Sequence, residues 1–565
     1  MRHRGASAAA ARGALIALAA LLALPARARA AAADAPAPAD STARRASPAD
    51  PIPDADYGAA AEGRVIREVR IIRRPVFDPD SGSRLAPYEH FGNRLHIMTR
   101  RGTVERQLLF GPGDRWSVAR AQETARKLRA LEYLDPLRVG ATVERDSAVA
   151  EVVTRDMWTF TPRFDVASAD GHGVGTIGIN DRNAFGYGKS LSVFYRNDTN
   201  GKSWNFAYDD PNLGGGHGRL HYAAGRGTEG ATDQIAAGLP FYAQQSPRAY
   251  EGGWSRSTFV THLFSSGVEV ANFDERSERV TTWYGGRLSG GPTIRRLIGS
   301  FELWDRRLGP SRLAPGAPPE FAGDEENIKI RRFNGEIDLW RPGYVERRNI
   351  DRFERIEDFD LGTQLQLKAG YAPAALGSSQ DEGYARITLD LGVDTPLGFG
   401  WLASTGSSRF APQSIERIAE MDARWYTRIH SVHTLALGAY GISGTNTPRD
   451  FQARTGGLDG LRAYPIDAVA GQKLWRLNAE ERWLWSPTRW RVARFGSATF
   501  FDAARAWGVG AEGTSWFYNA GVGLRVGVRT WGLRDVMRVD VAWPIQPTRD
   551  GGHAAVLTFG SSQAF

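Results

Sequence analysis

The stretch Asn519–Thr530, NAGVGLRVGVRT, decides the fold. In an extended chain Val522, Leu524, Val526 and Val528 share one face, while Gly521, Gly523, Arg525, Gly527 and Arg529 share the other. One face suits lipid and the other suits water. Met537, Val539, Val541 and Trp543 repeat the pattern against Arg538 and Asp540, and Leu557, Phe559 and Phe565 share one parity in the final stretch. A chain that does this repeatedly predicts a mainly β protein, an antiparallel transmembrane β-barrel.

The rest of the composition agrees once the amino terminus is set aside. Residues 1–30 join a basic start (Arg2, Arg4, Arg12) to an apolar run from Ala14 to Leu24 and a small-residue end, Ala28-Arg29-Ala30. That is the pattern of a secretory signal peptide, and the apolar run is too short for a spanning helix. Its five arginines stand with no acid, so the formal charge falls from +8 to +3 without them, and a nucleic-acid partner loses its motive. With no cysteine, disulfides, thiolate metal sites and a cysteine nucleophile are excluded. The chain has 17 Trp, 17 Tyr and 26 Phe but a mean hydropathy of only −0.38. Transmembrane strands hide in such averages, because every second residue faces an aqueous lumen. A large soluble all-β protein is the bland alternative.

Residues 31–61 are Ala/Pro/Asp-rich without hydrophobic period and predict a disordered leader. Residues 62–156 read as a small α+β domain. Arg64–Ile72 is a strand, and Asn93–Phe110 predicts a helix ending near Gly111-Pro112-Gly113. Ser117 is placed to cap a second helix carrying Val118, Ala121, Ala125, Leu128 and Leu131 at helical spacing. Strands over Leu137–Glu144 and Ala148–Thr154 then pair across Arg145-Asp146-Ser147. Residues 157–565, about 400 in all, leave room for roughly 16 strands at about 25 residues per strand with its connection. The turn chemistry of Asp209–Gly215, DDPNLGG, predicts a hairpin there.

The order β-α-α-β-β, with GDRWSVARAQETARKLRALEYLDPLRV at Gly113–Val139, resembles a single POTRA domain, with an insertion near Pro75–Phe91. NAFGYGKSL at Asn183–Leu191 and YDDPNLGG at Tyr208–Gly215 resemble the opening hairpins of the BamA/TamA-type outer-membrane superfamily, the bacterial surface antigen type. The most specific match is TGGLDGLRAYP, Thr455–Pro465, which resembles that superfamily's loop signature of a hydrophobic residue, Arg, Gly and an aromatic. Leu461, Arg462, Ala463 and Tyr464 fill the four places, with alanine in place of glycine; a positive φ there would strain it.

The resemblance implies a loop folded from the outer side into the lumen, its arginine meeting acids at Glu480, in NAEERW, and Asp502, in FFDAARAW. Strand parity independently turns Glu480 inward with Arg476, Asn478 and Arg482, and leaves Glu481 facing lipid unless it lies at a membrane boundary. The pair is either a latch on the loop or part of a charged lumen lattice. The last strand, AAVLTFGSSQAF, resembles a barrel-insertion signal through Leu557, Phe559 and Phe565.

Other motifs dissolve. Gly186-Tyr187-Gly188-Lys189-Ser190 ends like a phosphate loop but has Asn183 in place of the first glycine. His217 and His221 sit in a Gly-rich hairpin, a poor setting for a metal, and no G-x-S-x-G or H-E-x-x-H occurs. The expectation is a non-enzymatic protein without cofactor or metal, sited in the Gram-negative outer membrane with its POTRA-like domain in the periplasm. Its implied role is protein insertion or polypeptide translocation. Its partners would be unfolded or extended outer-membrane or secreted polypeptides, outer-membrane lipids and assembly-machinery proteins, with no nucleic acid. The domain's open sheet edge either receives a client or braces the barrel. The alternative for the whole chain is a passive outer-membrane pore or structural surface barrel.

Overall fold

The computed structural model describes residues 56–563 apart from 78–85, 170–171, 199–200, 266, 290, 354, 413, 431, 458–459, 486–492, 512–514, 529–535, 549–551 and 561–562. The signal segment 1–30, the leader up to residue 55 and Phe565 lie outside the described residues. Asp56–Ala61, assigned to the leader by composition, packs on the first domain instead. Tyr57 and Ala61 join its core, and the Trp116 indole N–H donates to the Tyr57 carbonyl at 3.2 Å.

That domain is a three-stranded sheet with helices. β1 (Ile66–Arg74) runs parallel to β3 (Ser147–Asp156), and β2 (Leu134–Glu144) pairs antiparallel on the other side of β3, giving the order β1-β3-β2. Between β1 and β2 come α1 (Ala86–Leu95), α2 (Arg101–Glu105) and α3 (Val118–Ala130). The helix expected over Asn93–Phe110 is thus two short ones, because Leu95 is followed by an extended stretch pinned through Thr99. In α3 the periodic Ala121, Ala125 and Leu128 turn inward onto Ile66, Trp116, Leu134 and Val152. Complete burial of a residue such as Leu128 contributes roughly 1.5–3 kcal/mol. Ser117 makes no side-chain cap; the Val118 N–H donates to the Glu62 carboxylate at 2.8 Å.

The remaining chain closes into an antiparallel barrel. Its sheet contains 21 strands among the described residues, one of them the two-residue Arg312–Leu313, which leaves twenty longer ones. The expected sixteen was too low because many connections are minimal, as at Asp198–Gly201, Thr395–Gly398 and His430–His433, so each strand consumes fewer residues than allowed for. The hairpin placed at Asp209–Gly215 turns slightly later. Gly201–Leu213 stays a strand, with irregular register between Asp210 and Leu213, and the chain reverses after it.

The first barrel strand, Phe160–Ala169, follows β3 directly and defines a near end beside the sheet domain. The alternation sorts as the sequence dictates. Asn519, Arg525 and Asp540 are buried inside, while Val522, Leu524 and Trp543 are exposed outside. The last strand, Val556–Gly560, closes the barrel on Phe160–Ala169. The described residues there pair at Thr558–Ala167 and Phe559–Val166, whereas the ladder between Arg248–Ser265 and Val268–Ser289 runs the length of the shorter strand. Two connections fold back on the barrel: the near-end hairpin of Tyr344–Arg348 with Ile356–Asp360, and the far-end segment 446–472.

Val522 is mid-strand on the lipid face. Val522→Arg should destabilise the folded barrel by about 2–4 kcal/mol, read as a lowered urea midpoint for folding into vesicles.

Candidate functional site

The far-end loop is built to carry one arginine inward. Ala453–Thr455 and Val469–Gly471 pair as its stem, and the Gly457 N–H donates to the Tyr464 carbonyl at 2.8 Å across the tip. Gly460 needs its freedom: φ is +82°, and a Cβ there would lie 3.0 Å from the Arg476 side chain. Ala463 does not have a positive φ, so the exchange of glycine for alanine leaves no strain at the tip. Leu461 and Ala463 are completely buried, packed in one cluster with Leu474, Phe500 and Ala504 on the inner wall. Tyr464 donates its hydroxyl to the Tyr518 carbonyl at 3.1 Å and sits edge-on to Phe517.

Arg462 is wholly buried. Its Nε and Nη2 each lie 2.9 Å from an oxygen of Asp502, a bidentate fork, and Nη1 reaches Glu480 at 2.9 Å and Asp540 at 3.2 Å. The guanidinium lies over the Phe500 ring, 3.3 Å from its centroid. Asp502 also accepts from Asn478 and Asn519, each at 2.8 Å. The cluster extends further. Arg525 bridges Asp540 and Glu480 at 2.5 and 3.1 Å, Arg538 meets Asp540 at 2.7 Å, and Arg482 meets Glu480 at 3.0 Å and Asp351 at 3.2 Å. Four guanidiniums therefore face four carboxylates, and desolvation of each charge is offset by charge-assisted bonds.

Asp351 belongs to the near-end hairpin, so the network ties both mouths of the lumen together. The hairpin crosses the near mouth. Ile350 and Phe359 pack with Phe399, Tyr426 and Ala436, and Arg347 meets Asp394 at 2.8 Å. At its base Arg129 of α3 holds Asp358 at 2.6 Å and Glu346 at 2.7 Å. Ion pairs thus run from the sheet domain to the hairpin, and from the hairpin through Arg482 and Glu480 to Arg462. Within the hairpin the buried Glu357 carboxylate accepts the N–H groups of Ile350 and Asp351, at 2.9 and 3.0 Å. Burial, then the charge of Asp351, pushes Glu357 up to about 8.

Parity in the sequence points Glu480 inward, and it is buried with Asp502 against Arg462. The sequence reading missed Asp540 as a third acid, although its alternation with Val539 and Val541 carried the signal. It also missed Arg482, Arg525 and Arg538 as the other cations and the hairpin's Asp351, which no strand pattern marks. Glu481 faces outward three residues from the near end of its strand and meets His433 Nδ1 at 2.6 Å, a boundary position. Leu557 and Phe559 are exposed on the outer face of the closing strand. Among the described residues no group of side chains is arranged to hold a metal.

Arg462→Ala leaves each acid another partner, so the barrel should remain folded and heat-modifiable while the docked loop loses about 3–5 kcal/mol. Added protease should then cut within 446–472 far faster, and Arg462→Lys, which lacks the fork, should not restore protection. For Glu357, a folded value above the unfolded one of about 4.3 means that the fold binds the extra proton. Its contribution is complete below that unfolded value and is lost as pH rises through about 8. Proteolysis of the hairpin should accelerate between pH 5 and pH 9, and Glu357→Gln should flatten the profile.

No family model and no curated protein matches the chain. Solved structures are similar to it at low identity. CdiB from Acinetobacter baumannii is 12% identical over 88% of this chain and 73% of that one, with a TM-score of 0.42. CdiB from Escherichia coli is 10% identical over 89% and 77%, with a TM-score of 0.46. BamA from Haemophilus ducreyi, lacking POTRA domains 1–3, is 12% identical over 88% and 84%, with a TM-score of 0.41.

Proposed function

We propose that the chain is an outer-membrane factor for protein assembly or polypeptide translocation, acting without cofactor or covalent chemistry. The observation that carries this is the Arg462 loop, locked in the lumen against Glu480, Asp502 and Asp540 on strands that lead to the seam where the barrel closes. In this reading residues 62–156 are a periplasmic POTRA domain whose sheet edge receives an extended client. The outer edge of β1 is covered at its start, where the Trp116 N–H donates to Arg64 and the Ile66 N–H to Asp114. From Arg67 to Arg74 no further backbone pairing covers it among the described residues. A client strand can pair there by β-augmentation.

The seam is the second station. Each lost ladder bond costs about 0.5–1.5 kcal/mol net, and more in lipid, so a client strand that pairs with a parted edge restores what is lost. Energy then comes from client strand pairing. The Arg462 lock keeps the wall beside the seam in one register while the seam opens, and Leu557, Phe559 and Phe565 serve as the chain's own insertion signal. A loop and a hairpin within the lumen favour this reading over a passive pore, which needs an unobstructed channel.

The test uses the cysteine-free chain in its own cells. A photocrosslinker at Ile72, exposed on β1, should capture exported polypeptides. Oxidising Thr558→Cys with Ala167→Cys should stop client delivery reversibly while the barrel stays folded. Delivery that continues at full rate through a locked seam, with nothing captured at Ile72, would sink the proposal and leave the pore.

A further inference from the structure

One helix of the sheet domain is built inside out. α1 buries Glu89 and turns Gly92 and Asn93 toward the domain, with Asn93 exchanging two 3.1 Å hydrogen bonds with the Phe77 backbone. A Cβ at Gly92 would come within 2.7 Å of the Phe77 ring, so the helix is seated closely on that polar side. Its apolar residues point away. Tyr88 is 74% exposed, Phe91 62% and Leu95 61%, and these fall at i, i+3 and i+7, on a single stripe. Ile97, two residues past the helix, is also exposed, at 54%. In water an arrangement with carboxylate and amide inward and aromatics outward is unfavourable, and a run of exposed apolar groups marks a surface that something covers.

The position of the helix says what covers it. Just past α1, His96 Nε2 lies 2.9 Å from Asp156, the last residue of β3, and the Thr99 N–H donates to the same carboxylate at 2.6 Å. The Arg100 N–H then donates to the Gly186 carbonyl in a near-end turn of the barrel, and its guanidinium covers the Tyr187 ring at 4.0 Å. The carboxyl end of α1 is therefore fastened to the barrel rim at the root of the first strand, which borders the seam. At that rim Phe160 and Phe185 are exposed as well, so aromatic side chains of the barrel stand open at the turn to which this segment is fastened. His90, Arg94, Arg100 and Arg101 are exposed around the stripe, cationic or protonatable groups suited to anionic headgroups.

We propose that α1 lies in the membrane interface, with Tyr88, Phe91, Leu95 and Ile97 in the headgroup–acyl boundary of the near leaflet, anchoring the sheet domain beside the seam. The bilayer, rather than a client or a second copy, is the partner of this stripe. The inference requires that the barrel be in a membrane but does not depend on what it transports.

The full chain contains no cysteine, so a single nitroxide reports one site. Phe91→Cys and, on the same stripe, Leu95→Cys are each spin-labelled in proteoliposomes of phosphatidylethanolamine and phosphatidylglycerol, with Asp146→Cys at the exposed β2–β3 turn as the aqueous reference. Heat-modifiability confirms insertion. At both stripe positions the ratio of oxygen to nickel-chelate collision rates should exceed the reference several-fold. High access to both reagents would put the stripe in water, and low access to both would put it against protein, a second copy included. Either outcome overturns the assignment.

Discussion

In a hydrocarbon layer a backbone N–H or C=O without a partner costs several kcal/mol, and the architecture of this chain follows from that constraint. A sheet in lipid must close on itself, so the strands from Phe160–Ala169 to Val556–Gly560 form a ring. Closure in turn forces alternation, because each strand has one wall in lipid and one in the lumen. The ring closes where Val556–Gly560 meets Phe160–Ala169, and the sheet domain is attached at that place.

Closure also creates an enclosed interior, and charges drawn into it must find one another. Arg462 is held by Asp502, Glu480 and Asp540, and the last two are shared with Arg525, Arg538 and Arg482. Glu480 and Asp540 each serve three arginines, and Asp502 is held by Arg462 together with the amides of Asn478 and Asn519, so no single pair holds the cluster. The far-end loop arrives from one mouth and Asp351 of the near-end hairpin from the other, and both end on the same set of charges. Movement of the hairpin through Arg129 therefore has a physical route to the loop, by way of Arg482 and Glu480.

The alternation of Val522 and Leu524 with Gly521, Gly523 and Arg525 was enough to read a barrel, because a period of two is a local property of extended chain. The same local logic located α3 and the β2–β3 turn, and it turned Glu480 inward. It gave no access to the strand count, which depends on how few residues each reversal consumes. Nor could it find α1 as a separate helix, since the stretch after Leu95 is set by Thr99 and Arg100 meeting residues distant in sequence.

The sequence by itself determined which residues face lipid and which face the lumen, and it singled out Arg462 and two of its acids through a loop signature and strand parity. Only the tertiary structure decided that Asp540, Arg525, Arg538, Arg482 and Asp351 converge on that arginine, that a near-end hairpin crosses the mouth, and that α1 turns its aromatics outward. The physical reason is range. Alternation is set between neighbours along the chain, whereas pairing of buried charges and covering of apolar faces are settled between segments that meet only when the barrel closes.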